Sequence, residues 1–237
     1  MTKPIVSCPL MLLYEEGKFK FTDPIGMYIP SLSKDNLIGI YDYKRNNKDM
    51  KFTEIKTSPI KQEILVWHLL THTSGLSYGF DKFGDIEPVD KFYNEYGCFN
   101  HDNKVCLQEW IDHRLSKMPL LFEPGTKWNY SLATDVIGRL IEVLSGLRLD
   151  QFLYRKIFKP LKMNNTRFYS DEIESKENIA TLYIPSYALT PARKYMENYQ
   201  LIKAEFGNTY RKSDQYLSGG GGLLSTLGDY MNFNKMV

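Results

Sequence analysis

The sequence predicts a globular chain built chiefly of amphipathic helices, folded as one large domain or two intimately packed lobes. Three observations carry that reading. Hydrophobic residues make up 43% of the 237 positions, enough to bury a substantial core. Segments around 59–72 and 132–145 repeat their apolar residues with the helical period, between recognisable start and stop signals. The one alternating stretch, residues 35–56, alternates only weakly and suits a short hairpin or a loop excursion. No internal repeat or low-complexity linker divides the chain.

Charge and hydropathy exclude some functions. Thirty Lys+Arg against 28 Asp+Glu leave a net charge of +2, with no basic run long enough to track a phosphate backbone, which argues against a nucleic-acid partner. The longest apolar stretches, residues 10–14 and 64–70, are far too short to span a bilayer. No signal-peptide pattern follows Met1, so nothing in these residues directs export or anchoring, and they specify neither a compartment nor an oligomeric state.

Taken in order, residues 3–17 form a helix with Leu10, Leu12 and Leu13 among its apolar positions, kinked at Pro9 and stopped by Gly17. FTDPIGMYIPSL is a turn followed by an extended, Pro-bounded segment. The second helix runs through SPIKQEILVWHLLTHTSGL, with Pro59 in its first turn and Ile64, Leu65, Trp67, Leu69 and Leu70 buried. Residues 77–106, rich in Gly, Asp, Asn and Tyr, read as an irregular excursion. A helix in LQEWIDHRLSK precedes the strongest one. There Leu132, Val136, Ile137, Leu140, Ile141 and Leu144 share a face, while Asp135, Arg139 and Glu142 fall mostly elsewhere. Ser131 is its expected N-cap and Gly146 its left-handed C-terminal cap. LDQFLYRKIFKPL is a further helix ended by Pro160, and residues 170–215 carry no assignable pattern. SGGGGLLSTLGDYMNF leads into a last helix, with Thr226 and Asp229 as its capping box.

Several apparent motifs fail on spacing. Cys98 and Cys106 could pair across CFNHDNKVC, but three cysteines indicate no disulfide framework, and with His101 the pair offers three ligands in no familiar zinc pattern. His68 and His72 stand four apart, as in a zinc protease, yet Leu69 occupies the position of the required Glu. His72 is expected to hydrogen-bond within the turn it begins. Ser74 lacks the flanking glycines of a nucleophile elbow and, with Gly75, reads as a helix stop. Gly219 to Gly222 lacks the Lys-Ser/Thr ending of a phosphate loop; backbone without side chains can instead approach another strand or a substrate closely. No metal site is expected.

Tyr130 is more informative. It follows the Pro124-Gly125 turn and directly precedes the strongest helix, at the positive end of its macrodipole, where a phenolate is favoured over a phenol. Packing of its ring as a hydrophobic staple is the competing reading. The order of motifs distinguishes the two. TKPI, LLYEEGKFKFTDPIGMYIP, HLLTHTSGL, PLLFEPGTKWNYSLATDVIGRLIEVLSG and SGGGGLLSTLGDYMNF resemble, in sequence and spacing, the serine β-lactamase-like superfamily. That group includes class C β-lactamases, D-alanyl-D-alanine carboxypeptidases and the esterases often called family VIII. The resemblance covers most of the chain and is weakest at residues 35–56, 77–106 and 171–216.

The resemblance implies an α/β (α+β) β-lactamase/transpeptidase-like fold, an antiparallel sheet flanked by helices plus a helical lobe, of which this chain carries mainly the helical part. It places Lys3 at the motif lysine and Tyr130 at the motif tyrosine, the pair that exchanges the proton of the serine in Ser-x-x-Lys. Leu132 stands where β-lactamases and carboxypeptidases usually carry Asn, which favours the esterase branch and small esters. Trp128, Leu132, Gly220 and Gly221 are expected on the substrate side, with no metal or organic cofactor required.

The same alignment sets the motif serine immediately before Met1 and the third motif, Lys-Thr-Gly or a variant, after the last helix. Residues 1–237 are therefore expected to be a single incomplete domain, lacking its N-terminal strands with the nucleophile and its C-terminal strands. Ser31 to Lys34 and Ser58 to Lys61 are chance Ser-x-x-Lys spacings that do not open a comparable helix. The expected activity of the complete protein is that of a serine hydrolase acting through an acyl-enzyme on small-molecule esters or amides, the 237-residue chain alone being inactive. The competing expectation is a β-lactamase-fold binding protein without a nucleophile.

Overall fold

The computed structural model describes residues 1–46, 50–79, 88–98, 105–168, 179–185, 200–203 and 216–237. Helices dominate these residues: α1 (Thr2–Glu15), α2 (Val66–Leu70), α3 (Pro88–Glu95), α4 (Leu107–His113), α5 (Ala133–Ser145), α6 (Leu149–Leu153) and α7 (Leu227–Met236). The described strands form two short antiparallel ladders. β1 (Ile40–Tyr41) pairs with β2 (Thr57–Ser58), Ile40 opposite Ser58, so the second strand falls just past the 35–56 stretch read as a hairpin or loop excursion. β3 (Tyr183–Pro185) pairs with β4 (Leu201–Lys203) inside the stretch without an assignable pattern.

The core is organised around α5, which packs against α1, α2, α4 and α6. Val136, Ile137, Leu140 and Ile141 are at most 1% exposed, as their periodicity predicts. Helix α5 ends at Gly146 with φ +69°, the left-handed geometry a glycine adopts without penalty, and the Gly146 N–H bonds Glu142 O at 2.9 Å. At the other end the cap is Leu132 rather than Ser131. The Ser131 hydroxyl still accepts the Ala133 N–H at 3.4 Å, one residue earlier than capping geometry requires.

Tertiary contacts override local pattern in three places. The second helix begins at Val66, not near Pro59, because residues 61–67 spend their backbone N–H and C=O groups elsewhere. Lys61 and Gln62 N–H bond the Glu123 carboxylate, Ile64 O accepts from Ile25, and Val66 and Trp67 N–H reach Asp23 O and Phe21 O. Trp67, expected in the core, is 37% exposed with its ring against His68. Residues 77–106 contain α3, whose Val89, Phe92 and Tyr93 are buried, so that excursion is not wholly irregular.

Helix α1 continues through Pro9, and α6 continues into a π-helical turn, Tyr154–Phe158. Thr226 caps α7 by accepting the Asp229 N–H at 3.2 Å. The Asp229 carboxylate does not return the favour as a capping box would; it accepts from Asn165 N–H and the Thr166 hydroxyl, tying α7 to the preceding loop. Cys8, Cys98 and Cys106 are free thiols; burial pushes the Cys98 thiol up to about 12. His101 lies outside the described residues.

Candidate active site

Two laced segments deliver Tyr130. Asn129 N–H bonds His72 O at 2.9 Å, Asn129 Nδ2 bonds Leu76 O at 3.1 Å, Gly125 N–H bonds Thr73 O and Leu132 N–H bonds Ser77 O. The turn before α5 is thus stitched to residues 72–77, and Tyr130 leaves that seam 40% exposed. His72 has an αL backbone, φ +56°, and turns its ring across the seam instead of bonding within its own turn. Its Nδ1 accepts the Ser131 N–H at 3.3 Å and lies 3.1 Å from the Ser131 hydroxyl. Burial first, and the nearby Lys3 charge second, hold the His72 imidazole below its ordinary pKa.

Lys3 comes from the first turn of α1. Its Nζ donates to Gly220 O at 2.6 Å and stands 4.7 Å from the Tyr130 ring centroid and 5.5 Å from that of Tyr78. Tyr78 and Tyr130 stack with centroids 5.2 Å apart and planes 1° from parallel, so the ammonium faces a pair of aromatic rings. No local pattern in the sequence marks Tyr78. His72 lies 5.0 Å from Tyr130 and 6.4 Å from Trp128, extending the aromatic row to the surface, where Trp128 is 66% exposed.

The glycine stretch closes the opposite side, and Gly219 and Gly220 are sterically required. A Cβ at Gly219 would stand 2.5 Å from Thr134 O, and one at Gly220 2.6 Å from Asp135 Oδ2. Gly221 is exposed, with open space where a Cβ would be. Thr2 reinforces the junction by accepting Leu223 N–H at 3.1 Å. Lys3, Tyr130, Trp128, Gly220 and Gly221 therefore gather at one junction of α1, the turn before α5 and the glycine stretch. Leu132 is 1% exposed; its side chain lies in the core beneath the junction, without an open face toward a ligand.

Ser74 is fully buried and bonds Leu76 N–H, and Ser31 donates to Asp112. Among the described residues no group of three His, Cys, Asp or Glu side chains could hold a metal ion, and no helix is long and apolar enough to cross a membrane. A separate cleft of about 350 Å³, lined by Asp150, Tyr154, Arg167 and Phe168 among others, contains none of the junction residues.

The profile of the Beta-lactamase family matches residues 1–235, and the chain belongs to that family. Protein Rv1367c of Mycobacterium tuberculosis (strain ATCC 25618 / H37Rv) is 30% identical over 237 residues, covering 100% of this chain and 52% of the relative. Esterase EstB of Burkholderia gladioli is 29% identical over 178 residues, 73% of this chain and 38% of the esterase. The chain spans about half the length, or less, of these relatives. Among solved structures, EstCE1, a hydrolase with promiscuous acyltransferase activity, superposes with a TM-score of 0.70 at 23% identity, over 98% of this chain and 55% of that one. Unliganded selenomethionyl simvastatin synthase (LovD) from Aspergillus terreus gives 0.68 at 23% identity, over 98% and 51%. The fold is thus the β-lactamase/transpeptidase-like α/β fold expected from the motif order.

Proposed function

We propose that the complete protein is a serine hydrolase or acyltransferase that works through an acyl-enzyme on small esters, with amides second. The observation that carries this reading is the meeting of Lys3 Nζ with both the Tyr130 ring, at 4.7 Å, and Gly220 O, at 2.6 Å. Three motifs far apart in sequence converge on one cation. In the proposed reaction the nucleophile is the serine that the Ser-x-x-Lys pattern sets three positions ahead of Lys3. Lys3 and Tyr130 take its proton as it attacks the acyl carbon and return it to the leaving alkoxide. The acyl-enzyme then passes the acyl group to water or to an acceptor alcohol. Trp128 and Gly221, exposed at the junction, are assigned to the substrate side, with Gly220 holding Lys3 behind them.

Esters rank ahead of β-lactams because Leu132 offers no amide side chain at the position where relatives that act on amides usually carry Asn. Similarity to Esterase EstB and to the lovastatin esterase of Penicillium rubens supports the same order. Residues 1–237 are assigned to one domain of the protein that they share with the nucleophile and the third motif.

The test uses the full-length gene product. A fluorophosphonate probe should label one serine, and that labelling should vanish when the serine of the Ser-x-x-Lys pattern becomes Ala. A folded, unlabelled full-length protein would favour a binding protein with this fold.

A further inference from the structure

We infer that Asp135 is a positioning residue of this site: its buried carboxylate fixes Gly220 so that the Gly220 carbonyl holds the Lys3 ammonium against Tyr130. The inference rests on the reading of Lys3 and Tyr130 as the proton-handling pair. Asp135 sits in the first turn of α5 and is 0% exposed, and a carboxylate is buried only at a cost that its partners must offset. Its Oδ1 collects three donors: the Tyr216 hydroxyl at 2.5 Å, the Ser218 hydroxyl at 2.7 Å and the Gly220 N–H at 3.1 Å. All three come from residues 216–220, so a single charged oxygen orders the segment that faces Lys3.

The ordering propagates on both sides of Gly220. The Ser218 hydroxyl also accepts Gly221 N–H at 3.1 Å, and Ser218 O accepts Gly222 N–H at 2.9 Å, winding the turn around the carboxylate. Gly220 itself is held by its N–H on Asp135 and by its C=O on Lys3. The glycine identity follows from the same contact, because any Cβ would stand 2.6 Å from Asp135 Oδ2. That second oxygen is buried without a hydrogen-bond partner among the described residues. Leaving it so is costly, and such costs concentrate where a site requires a particular geometry.

The experiment compares Asp135→Ala and Asp135→Asn with the parent in the full-length protein. Three quantities are measured: reductive methylation rates of individual lysines by mass spectrometry, kcat and KM on p-nitrophenyl acetate, and the thermal transition. Lys3 should be labelled several-fold faster in Asp135→Ala, while the exposed Lys156 and Lys235 keep the parental rate. The kcat should fall about 10²-fold, the scale expected when a catalytic group is displaced by an ångström, with KM near the parental value. Asp135→Asn, which keeps the Oδ1 acceptor without the charge, should lie between.

Unchanged Lys3 labelling in a folded variant, or activity loss that merely follows loss of folded protein, would overturn the proposal. Should Asp135→Ala not fold, Asp135→Asn and Gly220→Ala decide by the same Lys3 readout. A parent that neither turns over ester nor takes a fluorophosphonate sinks the hydrolase reading alone. Lys3 protection does not depend on turnover and still tests the role of Asp135.

Discussion

The site has two walls, one formed by α5 with the glycine stretch and the other by the rings of Tyr130 and Trp128. The first is buried and polar: Asp135, Ser218 and Gly220 are all buried, and Ser218 and Gly220 donate hydrogen bonds to the Asp135 carboxylate. The second is aromatic and wet, with Tyr130 at 40% and Trp128 at 66% exposure. Hydrogen bonds to a buried charge lose their full worth when one partner is removed, whereas rings stacked in water lose only a fraction of their contact area. The buried wall should therefore govern stability and geometry, and the aromatic wall chemistry and selectivity.

The strongest attack on that division is Trp110→Ala. Trp110 is 0% exposed and its ring lies 4.5 Å from that of Tyr216, whose hydroxyl donates to Asp135. Truncation should cost about 3–5 kcal/mol, read from the urea midpoint of the full-length protein. A loss below about 1 kcal/mol would mean that the buried wall is not packed as a unit. Tyr130→Phe should do the reverse. The ring keeps its stack on Tyr78, so stability should stay within about 0.5 kcal/mol of the parent. The kcat/KM for ester hydrolysis should nevertheless drop about 10²–10⁴-fold, the range for losing a general acid–base group. A stability loss with activity intact would make Tyr130 a packing residue.

The same division explains what was legible in the sequence. The apolar face of α5, the Gly146 cap and the Thr226 cap are properties of neighbouring residues, and periodicity or a single side chain announces them. Residues 59–65 carry a helical pattern, but the backbone groups of Lys61, Gln62 and Ile64 are claimed by Glu123 and Ile25, partners no local window contains. The periodicity of α5 sets Asp135 off the apolar stripe and says nothing of its partners; its donors lie 81 to 85 positions further on. Lys3 carries no local signature and Tyr130 only its place ahead of α5; the order of five motifs is what links the two in the sequence. Tyr78 and His72 took their places through a seam between segments more than fifty residues apart, with Leu76 and Ser131 as the nearest markers.

His72 offers a subtler test, because it links the walls: its Nδ1 bonds Ser131 at the head of α5 while its ring lies beside Tyr130. Both His72 and His68 are held below the ordinary imidazole pKa of about 6.5, each chiefly by burial. Between the lowered folded values and about 6.5, the unfolded chain binds protons that the folded chain refuses. Stability should therefore be fully present above about pH 6.5 and decline as the pH falls through that window. His72→Asn tolerates φ +56° and retains an acceptor for the Ser131 N–H, so it should flatten part of the slope, leaving the His68 share. A slope identical to that of the parent would remove His72 as a contributor.

Trp128→Ala should have the smallest effect on the fold and is the most discriminating for the aromatic wall. Two-thirds of the residue already faces solvent, and its ring partner in the row, His72, is 6.4 Å away edge-on, toward the long end of the range for aromatic pairs. The unfolding free energy should change by no more than about 0.5 kcal/mol. If Trp128 lines the substrate side, KM should instead rise for esters with bulky or aromatic acyl groups and stay level for acetate, because only the larger groups reach the indole. A uniform KM across acyl sizes would place Trp128 outside the binding surface and leave Gly221 as the exposed substrate-side residue at the junction. A stability loss above about 1 kcal/mol would show that the exposed wall helps to hold the fold, and the division between the walls would fail there first.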